Sequence, residues 1–211
     1  MRVVARSALD LVTVAGVVQA DLVGVGPLVA VVVKVGQLQF LATRVLPVGA
    51  GFEVTAQYLS THAPITVLYR PPKQAWLQTM IEAGRARSQL RIAAADLAGV
   101  RALLKALKRG EAVGLLPDQA PKFGEGRWMN FFGKPAYTMT LAARLTESGA
   151  AVIMVWAERL PGGAGFHFHL QVPTQPIRGT TEERAQQINH QIEHLIRQCP
   201  EQYLWGYNRY K

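Results

Sequence analysis

Apolar positions over residues 52–211 change their period repeatedly, and each change marks an element. Phe52 to Leu59 reads as a helix, Ile65 to Tyr69 as a strand broken by Pro71-Pro72, and Gln74 to Arg87 as a further helix. Leu97, Val100, Leu103, Leu104 and Leu107 recur at three- and four-residue spacing, so Leu97 to Lys108 is expected to form an amphipathic helix stopped by Gly110. Unbroken apolar runs at Ala112 to Leu116 and Ala151 to Ala157 predict buried strands, and Phe166 to Val172 alternates like a half-exposed one. Thr138 to Glu147, ended by Gly149, reads as a helix between those two strands. Thr180 with Glu183 three residues on is a capping-box signature, opening a last helix to about Arg197 before Pro200. Strands alternating with helices imply an α/β sandwich.

Residues 1–51 are patterned differently. They are rich in Val, Gly, Ala and Leu, lack Ile, Glu, Asn, His, Tyr, Trp and Cys, and have Phe40 as their one aromatic, whereas the rest of the chain uses all of these types. Such apolar runs suit Val-rich buried strands or a membrane-contacting helix. Leu22 to Val35 is interrupted by Pro27 and Lys34 and falls short of the ~20 apolar residues that span a bilayer. Gln37 to Thr43 reads as a strand.

A length of 211 residues with 49% hydrophobic content is enough for one full core. The single cysteine, Cys199, excludes an internal disulfide framework. A net charge of +9, with basic residues dense from Arg85 to Arg109, favours anionic partners: a membrane surface, a phosphorylated glycolipid, an acidic carrier protein or nucleic acid. No RNA-recognition, zinc-finger or basic-zipper pattern accompanies that charge, so no specific nucleic-acid partner is expected. His167 and His169 stand two apart on a strand and so share a face. No third ligand has a suitable spacing, and neither a metal nor a cofactor is expected.

Three separated blocks carry candidate chemistry. The first runs from Gly114-Leu115-Leu116-Pro117-Asp118-Gln119-Ala120-Pro121 through Gly124-Glu125-Gly126 to Phe131-Phe132-Gly133-Lys134-Pro135-Ala136-Tyr137-Thr138, and reads as a strand delivering an acid and an amide into a Gly- and Pro-punctuated loop. The others are Tyr69-Arg70-Pro71-Pro72-Lys73 and Gln202-Tyr203-Leu204-Trp205-Gly206-Tyr207-Asn208-Arg209-Tyr210-Lys211. Together, over residues 52–211, they resemble the signature of the bacterial lipid A biosynthesis (late) acyltransferases.

That resemblance implies a glycerolipid-acyltransferase-like fold, a mixed sheet flanked by helices in a single domain. It implies transfer of a fatty acyl chain from an acyl carrier protein thioester to a hydroxyl of a lipid A precursor, at the cytoplasmic face of the bacterial inner membrane with its anionic surface. It also implies a His, four intervening residues and an acid, in a run like Pro-His-x-Gly-x-Phe-Glu. Here that run is Pro47-Val48-Gly49-Ala50-Gly51-Phe52-Glu53, with Glu53 as the acid and Val48 at the His position. His62, His167, His169, His190 and His194 are followed five residues later by Val67, Val172, Thr174, Leu195 and Cys199, so none restores the motif. Imidazole suits the removal of a hydroxyl proton near neutral pH, and losing it forfeits a contribution of about 10²–10⁴-fold.

By the same resemblance, Glu53 would orient the missing His and Arg70 would bind phosphate or an oxyanion through its donor fork. Asp118 and Gln119, at the end of a buried strand, would hold Arg70, place the acceptor hydroxyl or polarise the thioester. Phe132 and Gly133, with Phe131 and Tyr137, would line an acyl groove, and Arg144 and Arg159 would meet glycolipid phosphates. Each has a plainer reading: a helix-terminal carboxylate for Glu53, a structural ion pair for Asp118 with Arg70, core packing for the aromatics, local salt bridges for Arg144 and Arg159. The expectation for residues 1–51 is that they are not the family's native N-terminal region, and that a shifted frame or misassigned start joins the authentic sequence near Phe52. A divergent enzyme without catalysis, retained as a lipid- or carrier-binding module, is the alternative. Acylation of phosphatidylinositol mannosides is a second, although the Pro-Asp-Gln and Phe-Phe-Gly blocks favour the lipid A branch.

Overall fold

Short runs of β-branched and other apolar residues pair in parallel to make the centre of the molecule, as expected of strands buried on both faces. The computed structural model describes residues 11–14, 17–20, 28–32, 55–56, 58–61, 63–69, 89–206 and 209–210. Among them, β1 (Leu11–Val14) and β2 (Val17–Ala20) form an antiparallel pair. The main sheet contains β3 (Leu28–Val32), β4 (Ile65–Tyr69), β5 (Leu90–Ala94), β6 (Ala112–Leu115), β9 (Ala151–Arg159) and β10 (Phe166–Gln171). Its order is β10-β9-β3-β6-β4-β5, parallel except for β10 against β9. The expected mixed sheet of an α/β domain is therefore present. β3 comes from the Val-rich segment and lies between β6 and β9, with Val31 level with both Leu115 and Met154.

α1 (Leu97–Lys108) follows β5 and begins at Asp96, whose carboxylate accepts from the Gly99 N–H at 2.8 Å. Leu103, Ala106 and Leu107 are buried, but Leu97 and Leu104 face solvent, so the packed stripe is narrower than the leucine spacing suggests. A Cβ on Gly99 would collide with the Ala94 carbonyl oxygen, which is why the first turn of α1 can lie against the end of β5. Past this helix, Arg91 and Arg109 both donate to Glu111 at 2.6–2.8 Å, Arg109 foremost in holding that carboxyl down to about 2.

The segment after β6 departs from expectation. In place of an irregular loop and a helix from Thr138, β7 (Gly126–Phe131) and β8 (Lys134–Met139) form an antiparallel hairpin, and α2 is only Leu141–Thr146. Arg127, Trp128 and Asn130 face outward while Met129 and Phe131 are buried, an alternation that Gly126 and Pro135 conceal at the ends of the pair. Phe132 and Gly133 are the two turn residues, with φ of 50° and 76°, the positive values that a type I′ hairpin turn demands of both. The last helix, α3 (Thr181–Gln198), has its full capping box: Thr180 Oγ1 accepts from Glu183 N–H and Glu183 Oε2 accepts from Thr180 N–H.

Packing divides between the two sheet faces. α1, α2, α3 and the hairpin join Val113, Leu115, Val152, Met154 and Trp156 in the larger core. Ile65, Val67, Ile153 and Val155 point the other way, against Ala56 and Leu59 of the helical residues 55–56 and 58–60. The expected elements Gln37 to Thr43 and Gln74 to Arg87 lie outside the described residues.

Candidate active site

β6 ends at Leu115, and the chain turns through Pro117 to bring Asp118, 4% exposed, to the carboxyl edge of the parallel strands. This edge is where open α/β sheets collect functional groups. The charge of Asp118 acts on two residues of the C-terminal block, Tyr203 and Arg209. Burial, reinforced by that negative charge, pushes the Tyr203 phenol well above its ordinary range, so it stays protonated and able to donate. Burial also lowers the pKa of Arg209, an effect that Tyr203 and the Asp118 carboxylate oppose.

Arg209 organises the site. Only 1% exposed, it donates from Nη2 to Thr138 Oγ1 at 3.0 Å and to Asn189 Oδ1 at 2.9 Å, and its guanidinium lies 4.1 Å from the centroid of Phe131. Asn189 in turn donates to Thr138 Oγ1 and to the Asn130 carbonyl, while Thr138 donates to the Ala136 carbonyl. The backbone closes the same joint, since Tyr137 N–H donates to the Arg209 carbonyl at 2.7 Å. Hairpin, last helix and C-terminal block are thus tied through one buried cation.

The hairpin tip packs beside this cluster. The Phe132 N–H donates to Glu193 Oε1 at 2.8 Å, which helps to hold a left-handed backbone that a bulky residue rarely adopts. The Phe132 ring meets Phe131 at 4.8 Å and Trp205 at 5.6 Å, with Arg197 over its face at 5.0 Å. Tyr137 does other work: its hydroxyl accepts from Gly124 and Gly126 N–H groups and fixes the Pro- and Gly-rich loop.

The sequence candidates therefore separate into groups. Asp118 lies with the Tyr203–Arg209 cluster, Gln119 is half-buried beside it in the turn, and Phe132 and Gly133 form the hairpin tip. Arg144 is exposed on α2 and makes no ion pair among the described residues, so the local salt bridge expected of it is not found. Arg159 ends β9, where Gln202 clamps its backbone N–H and carbonyl, and its guanidinium lies 5.9 Å from the Phe166 ring. Val48, Glu53 and Arg70 lie outside the described residues. Arg209, Asn189, Thr138 and Glu193 were missed as site residues. The available signal was polar Asn189 and Glu193 on the apolar stripe of Ala185, Ile188, Ile192, Leu195 and Ile196, a burial that polar groups accept only with partners.

The family model of bacterial lipid A biosynthesis acyltransferases matches residues 44–211, taking in the Asp118 turn, the hairpin and the C-terminal block. The chain belongs to this family. Its relatives in the lipid A biosynthesis acyltransferase family include the lipid A biosynthesis lauroyltransferase of Escherichia coli (strain K12), 32% identical over 178 residues, which are 79% of this chain and 56% of that protein. The lipid A biosynthesis palmitoleoyltransferase of the same organism is 28% identical over 172 residues, with the same coverage. A lipid A biosynthesis acyltransferase of Haemophilus influenzae is 25% identical over 168 residues, 76% of this chain and 51% of that protein. The chain thus spans a little over half the length of these lipid A acyltransferases. No helix among its described residues is long and apolar enough to cross a membrane.

Proposed function

We propose that this chain carries the acyl-transfer site of a lipid A acyltransferase, that acyl carrier protein thioester is its donor and a lipid A precursor its acceptor, and that its catalysis is impaired at Val48. The observation that carries the reading is the meeting of two family blocks, Pro117-Asp118-Gln119 and the C-terminal Tyr203–Arg209 region, in one buried charged cluster at the carboxyl edge of the sheet. In the reaction, the acceptor hydroxyl oxygen attacks the thioester carbonyl, the C–S bond breaks, and the hydroxyl proton passes by way of a base to the departing thiolate. Arg209 and Tyr203 supply fixed donors near Asp118 for the oxyanion that forms on the carbonyl oxygen. Glu53 would orient an imidazole at position 48, and Arg70, Gln119, Phe132, Gly133, Arg144 and Arg159 would contact phosphates and acyl chain.

An isopropyl group at position 48 neither accepts a proton nor engages Glu53. The net charge of +9 supports work at an anionic inner-membrane surface and attraction to an acidic carrier. The test is acyl transfer from carrier thioester to lipid A precursor by the native chain and by Val48→His. The variant is expected to exceed the native chain by about 10²–10⁴-fold. Equal, substantial turnover by both would refute the impairment. A second reading, a binding module without catalysis, is favoured by Val48 itself and predicts carrier binding with no turnover in either protein.

A further inference from the structure

At the outer edge of the main sheet, strand pairing assembles three metal-binding side chains that chain spacing alone did not connect. β10 pairs with β9 so that His167 lies opposite Glu158 and His169 opposite Trp156. Alternate residues of a strand share a face, so His167, His169 and Glu158 stand together. His169 Nε2 is 2.8 Å from Glu158 Oε2, and His167 Nδ1 is 3.8 Å from the same oxygen. One ligand atom from each residue can be chosen so that all three lie within 4.8 Å of one another.

The set is oriented as well as clustered. The His169 ring stacks on Trp156, with centroids 4.1 Å and planes 6° apart, and meets the His167 ring at 4.3 Å. A tetrahedral cation with bonds of about 2.0–2.1 Å holds its ligands about 3.4 Å apart. The observed spacings lie on either side of that figure, and side chains 28–45% exposed have room to rotate inward.

We propose that Glu158, His167 and His169 form a binding site for a divalent first-row transition cation such as zinc, with a remaining position for water. Two imidazoles and a carboxylate suit zinc, cobalt(II) or iron(II), whereas calcium and magnesium require more oxygen ligands. The ion would join β9 to β10, the outermost strand of the sheet, across the side chains as the ladder joins them across the backbone.

His190 and His194 are exposed and four residues apart on α3, and would chelate the same ion, so the reference protein is the full, tag-free chain carrying His190→Ala and His194→Ala. Calorimetric titration of it with zinc chloride is expected to show one equivalent bound, weakened at least about tenfold by His169→Ala or Glu158→Gln. Zinc should raise the melting midpoint of the reference protein and leave that of a further His167→Ala/His169→Ala variant unchanged. The proposal is overturned if zinc binds that variant as tightly as the reference protein. It is equally overturned if Glu158→Gln, which preserves side-chain shape, binds zinc undiminished.

Discussion

Arg209 shows how much one side chain can determine. Its guanidinium joins Thr138 and Asn189 by hydrogen bonds, covers Phe131 and offsets the charge of Asp118 in an enclosed site. Arg209→Met should therefore cost about 3 kcal/mol of stability, since it strips a buried acid of a nearby cation, and urea unfolding measures it. Asp118→Asn in the same protein should restore part of the loss, a non-additivity that the double-mutant cycle reads directly. Asp118 was recognisable in the sequence as an acid ending an apolar run. Arg209 was not, because a cation near a chain's last residues usually marks solvent, and only the tertiary fold reveals that it is buried.

Among elements, α1 and α3 were legible because each carries its own signals: the leucine spacing and Gly110 for one, Thr180 with Glu183 for the other. The hairpin was not, since Gly and Pro at its ends resemble loop signals and Phe132 stands where Asn or Gly would have announced the turn. Nor could spacing show that Leu97 and Leu104 would stay outside, a matter of what packs against α1. The contact between this helix and β5 depends on Gly99. Gly99→Ala should destabilise the protein by about 1–3 kcal/mol by pushing the first turn away from Ala94, seen as a lower midpoint in thermal unfolding.

For the whole molecule, the α/β class followed from the alternation of periods, but the strand order did not, because the central strand comes from the segment least like the rest. β3 separates β6 from β9 and gives each a parallel neighbour. Deleting residues 1–33 should leave both with open ladder edges and give a protein that aggregates or loses its cooperative melting transition, checked by light scattering and circular dichroism. Unchanged melting would show that the Val-rich segment is dispensable to the sheet. The bond from Arg209 to Thr138 spans 71 positions of sequence, with its own consequence for synthesis. A ribosome adding about 5–20 residues per second finishes the hairpin roughly 4–14 s before it supplies the guanidinium that locks it. During that interval Asp118 must wait in water, joined by Asn189 only for the last 20 residues, and a chaperone would find the polar cluster still open.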